Sequence, residues 1–354
     1  MLLLLTEIYS VALAIWLLTN TKLQKKVSLY KNLERRITWN LLSLIAKFYL
    51  HKPDLTHLLH IKYPTFKQIF YGIANELFYV IGVAYGAKLN AYNIEITNAC
   101  NLRCKMCPVN RGMKRKTQYM DFSLFKEIVD KNRGVEFVLP FQWGEPLMHK
   151  DFLKMVQYAV SKGIRVMFTT NGTMLNDDIC RKIAESGAER ITISVDGIGE
   201  THTEIRGFDY YKLREKVLNL KNIRDEMKSN LKIDISMVVF NETENDVNRL
   251  YDEWKSIADR VQLIPRFVPG RRTVSCRELW RGIIVVLADG RVSICCADFE
   301  GEGIVGDARR QTLAEIWNGK KMREYRRAHI KGKFPPICEN CNEYETDLVS
   351  KRFS

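Results

Sequence analysis

The chain has 354 residues, 46% of them hydrophobic, enough for a sizeable core in two domains or in one large domain with extensions. Its formal charge of +14 suits acidic partners such as phosphorylated substrates, nucleic acid or an anionic membrane surface. Eight of the nine cysteines fall in two groups at ligand-like spacing. In so long a chain this argues against a secreted disulfide scaffold and for metal or iron–sulfur ligation in a reducing cytosol.

Residues 1–18, MLLLLTEIYSVALAIWLL, are apolar except for Thr6, Glu7 and Ser10. As a helix they reach about 27 Å, barely a bilayer core. No basic segment precedes the run and no small-residue cleavage site closes it, so a cleaved signal peptide is not expected. Lys22, Lys25, Lys26, Lys31, Arg35 and Arg36 follow, and the positive-inside rule keeps what comes after them in the cytoplasm. Segments 37–50 and 68–87 read as further helices rich in large apolar residues. Over residues 1–90, eleven Lys and Arg stand against four Asp and Glu. A helical, apolar and basic N-terminal extension over 1–90 is therefore expected, associated with a membrane surface. Glu7 argues against a true span, and a helical subdomain packed on the catalytic core is the alternative. The expected location is the cytoplasmic side of the membrane, or the cytoplasm.

From residue 91 the pattern becomes regular. Strand-like runs at 92–97, 135–141, 165–170, 190–195, 232–240 and 261–265 alternate with helical periods near 122–132, 150–162, 176–187, 209–227 and 243–258. Six strands and five helices in alternation predict parallel βα units with right-handed crossovers. Six strands are too few to close an eight-stranded barrel, so the expected fold class is α/β, a partial (βα)6 TIM-like barrel over 91–270. Polar and glycine-bearing residues collect just after the strand ends, where such folds build their sites.

The first of these ends carries EITNACNLRCKMCPVN, which sets Cys100, Cys104 and Cys107 in a C-x3-C-x2-C array. Three thiolates on a cubane cluster leave one iron open, whereas a closed zinc site needs a fourth ligand that is not supplied locally. The array resembles that of the radical SAM superfamily, in which the open iron binds the amino and carboxylate groups of S-adenosylmethionine (SAM). Further motifs follow in chain order. QWGEP (142–146) is similar to the family's GGEP motif, with Trp143 where a first glycine is common. The resemblance implies that Gly144 and Glu145 meet the SAM amino group. TTNG (169–172) and SVDG (194–197) resemble the third- and fourth-strand motifs, which implies SAM contacts for Asn171, Ser194 and, toward the ribose, Asp196. HTEIRG (202–207) resembles the segment whose arginine, here Arg206, pairs with the SAM carboxylate, a match for its two-pronged donor geometry. Met106 stands where an aromatic residue is common near the adenine, and its polarizable thioether can cover a purine face.

Cys276, Cys295, Cys296, Cys338 and Cys341 form the second group. GIIVVL and RVSICC flank an A-D-G turn and read as a hairpin; 312–329 reads as one helix. The spacing C-x13-G-x4-C with a late C-x2-C, together with GIVGDARRQTLAEIWNG, resembles the SPASM and twitch auxiliary-cluster domains of radical SAM enzymes. That resemblance implies a small cysteine-rich C-terminal domain over 271–354. One auxiliary [4Fe-4S] cluster is expected there, on Cys276, Cys295, Cys338 and Cys341, with Cys296 able to replace Cys295. On spacing alone a four-cysteine zinc ribbon is the alternative. Cys180 reads as a small buried hydrophobe, His149 and His202 as solvated or hydrogen-bonded loop residues, and the basic run 111–116 as a solvated face.

The resemblance implies reductive cleavage of SAM at a [4Fe-4S] cluster to a 5′-deoxyadenosyl radical that takes hydrogen from a substrate C–H bond. An auxiliary cluster would then assist oxidation or bond formation. The N-terminus favours a membrane lipid or lipid-linked glycan as substrate, ahead of a peptide and a small sugar. A low-potential donor such as flavodoxin or ferredoxin is the expected partner. No nucleic acid is expected, because no RNA-binding module is visible. A non-catalytic iron–sulfur or zinc protein would keep the cysteines but need neither Glu145 nor Arg206.

Overall fold

The computed structural model describes residues 66–265 and 270–341. The expectations for residues 1–18 and 37–50 lie outside that range. No helix among the described residues is long and apolar enough to cross a membrane. The first described helix, α1 (Phe66–Val80), is shorter than the expected 68–87.

Six strands then run parallel in chain order: β1 (Ala91–Ile94), β2 (Phe137–Leu139), β3 (Arg165–Thr170), β4 (Arg190–Ser194), β5 (Lys232–Val239) and β6 (Arg260–Pro265). The crossovers are α2 (Phe122–Lys131), α3 (Phe152–Ser161), α4 (Asp177–Glu185), then α5 (Glu200–Arg206) with α6 (Tyr210–Glu226), and α7 (Val247–Trp254). Helix α5 was not anticipated. It is one short stretch closed by Gly207, whose φ of 76° supplies the left-handed cap a helix end favours.

Period-two alternation places Val166, Phe168, Ile191, Ile193, Ile233 and Ile235 in the core with the helices, among them the fully buried Phe125, Phe152 and Trp254. The opposite strand face carries half-buried Met167, Thr169, Thr192 and Ser194. At its amino-terminal end fully buried Asp234 joins Arg190, Arg260 (Nη2 at 2.5 Å) and Gln262 (2.8 Å) across three strands. Breaking such a buried charge group leaves like charges uncompensated. Asp234→Asn is expected to cost about 3–5 kcal/mol, seen as a lower denaturation midpoint with the cooperativity retained. An unchanged midpoint would show these arginines to be adequately solvated.

The second cysteine group is not on a separate layer. After a 3-10 turn at Arg277–Trp280, β7 (Ile283–Val286) pairs in parallel with β1, in register from Ala91↔Ile283 to Ile94↔Val286. Strands β8 (Arg291–Ser293) and β9 (Ile304–Asp307) add antiparallel, giving one nine-stranded sheet in the order β6-β5-β4-β3-β2-β1-β7-β8-β9. The predicted hairpin is real, but it also covers the open edge that a partial barrel would otherwise present at β1. The run IIVV, apolar at every position, is what a strand buried on both faces requires.

The helix expected over 312–329 is two: α8 (Leu313–Trp317) and α9 (Lys320–Ile330), followed by α10 (Pro336–Glu339). Thr312 and Glu315 form a reciprocal capping box. The break falls at Asn318-Gly319, because the Asn318 amide is used to bind both the N–H and the carbonyl of Gly86.

Candidate active site

The cysteine loop leaves β1 and is closed at its base by side chains. The Asn98 amide donates to the Lys116 carbonyl (3.0 Å) and accepts from the Gln118 N–H (2.7 Å), while the Thr97 hydroxyl donates to the Gln118 carbonyl (2.8 Å). On this loop burial pushes the Cys100, Cys104 and Cys107 thiols up; for Cys104 the charge of Arg206 is the largest opposing influence. The Lys105 N–H donates to the Ile205 carbonyl, and the Cys104 thiol lies 3.9 Å from the Arg206 carbonyl, so the end of α5 is tied to the loop. Among the described residues no three His, Cys, Asp or Glu side chains close around a single-ion position. Met106 is half-buried in the turn between the second and third cysteines.

The loop after β2 packs directly on this one. Gly144 has φ 116°, and a Cβ there would stand 2.6 Å from the Thr97 carbonyl oxygen and 2.8 Å from that of Ala99. Only glycine allows that approach of two main chains. The Glu145 N–H donates to the Ala99 carbonyl (2.7 Å). The buried Glu145 carboxylate accepts from the Thr170 hydroxyl (2.6 Å), the Asn171 N–H (2.7 Å) and the Leu147 N–H (3.1 Å). Burial raises its pKa, and these three donors oppose the rise. Protein donors take three of its roughly four acceptor sites, so it braces the β2 loop against the end of β3 and keeps one site for a further donor.

Asn171 extends that brace. Its amide donates to Asn101 Oδ1 (2.9 Å) and lies 3.9 Å from Cys100 Sγ, while its oxygen accepts from Thr173. Asp196 follows the end of β4. It is buried, accepts from Arg206 Nη1 (2.5 Å) and from the Val238 N–H (2.7 Å), and so supplies the counter-charge a buried guanidinium needs. Arg206 Nε is buried with no hydrogen-bond partner, a donor left over for a ligand acceptor. Ser194 ends β4 on the half-buried strand face, opposite Ser236. Both histidines are buried and hydrogen-bonded, the second of the two expected readings, although His202 lies in α5 rather than in a loop. His202 Nδ1 accepts from the Asp196 N–H, with burial holding its pKa down to about 3; His149 bonds the Met120 carbonyl and the Asp151 N–H. Cys180 is buried in α4, as expected.

In the second group Cys295 is influenced electrostatically by Cys296, Cys276 and Cys341, and Cys338 by Cys341. The leading charges on Cys296 are Glu278 and Arg281, and Cys341 acts on it as on Cys295. Burial pushes Cys338 up to about 11 and Cys296 to about 12.

Four contacts that sequence reading missed join the two cysteine regions. Gln142 accepts from the Asn93 amide (2.8 Å) and donates to the Cys296 carbonyl (2.8 Å). Trp143 meets Phe299 edge-on at 6.2 Å. Arg115, only 8% exposed, makes a two-pronged bond to fully buried Glu95 (2.7 Å each) and donates to the Phe299 carbonyl (2.6 Å). The Glu300 carboxylate accepts from the N–H groups of Lys114 and Arg115. The expectation of a solvated basic run at 111–116 is thus wrong at Arg115. The available signal was Glu95, a lone carboxylate inside an apolar strand run, which demands a buried cation.

The donor set suits a soft, thiolate-bound iron–sulfur group better than a hard ion. A buried, unused Arg206 N–H beside it fits a ligand that bears a carboxylate. A parallel partial barrel with such a centre at its strand ends defines an iron–sulfur enzyme. Residues 94–253 match the model of the Radical SAM superfamily and residues 276–342 that of the SPASM iron–sulfur cluster-binding domain. The chain belongs to the radical SAM superfamily and carries a C-terminal SPASM domain; SAM and [4Fe-4S] clusters are its cofactors.

Among curated proteins, it is similar to mycofactocin maturase MftC of Mycolicibacterium smegmatis, 29% identical over 188 residues, 52% of this chain and 46% of that protein. The match thus spans about half the length of that relative. Among solved structures, BtrN in complex with AdoMet and 2-DOIA superimposes with a TM-score of 0.53 at 18% identity, over 72% of this chain and 93% of that one. SuiB of Streptococcus suis, bound to its precursor peptide SuiA, does so with a TM-score of 0.55 at 11% identity, over 88% and 87%. At these identities the likeness to the structures is one of fold.

Proposed function

We propose that this radical SAM enzyme modifies a peptide or protein, abstracting hydrogen from a C–H bond and passing the resulting substrate electron to an auxiliary cluster. The observation that carries this reading is the joining of the two cysteine regions through Gln142, Trp143 and Arg115. Such adjacency suits a substrate that reacts at one centre and is oxidised by the other.

Cys100, Cys104 and Cys107 would hold the first cluster, and Cys276, Cys295, Cys338 and Cys341 the second, with Cys295 favoured over Cys296 by its spacing from Gly290. When bound, SAM and the first cluster supply a 5′-deoxyadenosyl radical. The chain's own residues orient and shield. Gly144 lets the β2 loop close onto the cysteine loop at Thr97 and Ala99, Arg206 offers its unused N–H to the SAM carboxylate, and Met106 and Ser194 flank the nucleoside. Glu145, Asn171 and Asp196 keep these groups in place.

The peptide takes precedence over a lipid because MftC is a maturase and SuiB was seen with a precursor peptide. The lipid expectation rested on residues 1–90, as did placement at the cytoplasmic side of a membrane. A flavodoxin or ferredoxin would supply the first electron. The test is 5′-deoxyadenosine release by anaerobically reconstituted full chain with SAM and reductant, alone, with a cellular peptide fraction, and with a lipid extract. Stimulation by peptides, with a product lighter by two hydrogens, is expected. Stimulation by lipid alone would return the substrate to the membrane, and no stimulation by either would sink both readings.

A further inference from the structure

We propose that Arg272 is a positioning residue that raises the reduction potential of the auxiliary cluster, making it the better acceptor of the substrate electron. The proposal rests on the reading that Cys276, Cys295, Cys338 and Cys341 hold that cluster. Arg272 precedes the second cysteine group and belongs to no motif recognised in the sequence. Its main-chain N–H donates to the Glu339 carbonyl (2.7 Å), and the Gly270 N–H donates to the Asn340 carbonyl (3.0 Å). Segment 270–272 is thereby paired with the turn between Cys338 and Cys341. The side chain is buried, donates through Nη2 to Cys341 Sγ (3.5 Å) and through Nη1 to the Val274 carbonyl (3.3 Å).

Four thiolates on a cubane make a dianion when oxidised, and one added electron makes it a trianion. A buried cation and an N–H···S bond stabilise the more negative form, and both lie among the levers that set such potentials. Among the described residues Asp298 is an opposing charge; it is satisfied by the Ser293 hydroxyl and the N–H groups of Glu302 and Gly303. His329 packs against the same region, its Nδ1 accepting from the Cys276 N–H (3.1 Å). One electron leaves the substrate radical, one enters the cluster, and the substrate loses a proton.

The experiment is a dye-mediated redox titration of the reconstituted full chain, followed by electron paramagnetic resonance. The auxiliary signal is assigned as the one that survives Cys100→Ala, Cys104→Ala and Cys107→Ala together. Arg272→Gln should disfavour reduction at least tenfold, a negative shift of about 59 mV for one electron, whereas Arg272→Lys should stay within that shift of the wild type. An unchanged potential in Arg272→Gln would overturn the proposal. Should that variant lose the auxiliary iron, Arg272→Lys decides: retained iron and potential support the charge effect, and loss of iron shows a purely structural role. Absence of an auxiliary signal in the otherwise unaltered chain would sink the cluster reading itself.

Discussion

Cys104→Ala is expected to abolish SAM cleavage while leaving the fold and the auxiliary iron in place. Cys104 is the most enclosed of the three thiols, tied by its loop to the end of α5. No fourth thiol stands in the first loop to replace it, since the second cysteine group is claimed by its own site. Removing the chemistry-bearing group forfeits most of an acceleration that for enzymes starts near ~10⁶, so 5′-deoxyadenosine release should fall by ~10³-fold or more. Iron per chain should drop by roughly half, one cubane of two. The check is iron analysis beside the cleavage assay on anaerobically reconstituted protein. Undiminished cleavage would remove Cys104 from the ligand set.

Arg115→Ala should act through a different physical route. It strips the counter-charge from fully buried Glu95 and releases the Phe299 carbonyl. Leaving one partner of a buried pair uncompensated costs about 3–5 kcal/mol, so the denaturation midpoint should fall steeply. The double variant Glu95→Leu with Arg115→Met should recover most of that stability, because a packed apolar pair of similar size is often no worse. It would not restore the hold on segment 299–300. Substrate-dependent turnover should therefore stay impaired in the double variant, while SAM cleavage without substrate persists. Stability and turnover rising together would make the pair a stability element with no part in joining the two cysteine regions.

Legibility varied with the range of the interaction. Strand β3 is read from sequence to the residue, Arg165–Thr170, because alternation is local and one face is buried. The break at Asn318-Gly319 was missed although an N-G pair is ordinary punctuation, since its reason is a bond to Gly86 more than 200 residues away. Glu145, Asn171 and Asp196 were found by motif, but the protein partners that hold them were not legible there. A motif names a residue but not which of its acceptor sites the protein itself will use. Arg115 and Arg272 were passed over because a basic residue reads as solvated until a buried partner is known.

By itself the sequence determined the alternation of strands and helices, the two cysteine groups and the order of the motifs at successive strand ends. Each depends on period, spacing or residue chemistry within a few positions. The tertiary structure alone decided that β7 closes the β1 edge, that Arg115 pairs with Glu95, and that Gln142 reaches Cys296. Those outcomes follow from burial: an unpaired strand edge, a carboxylate and a main-chain carbonyl must each find partners once water is gone, and the partners lie far away in the chain.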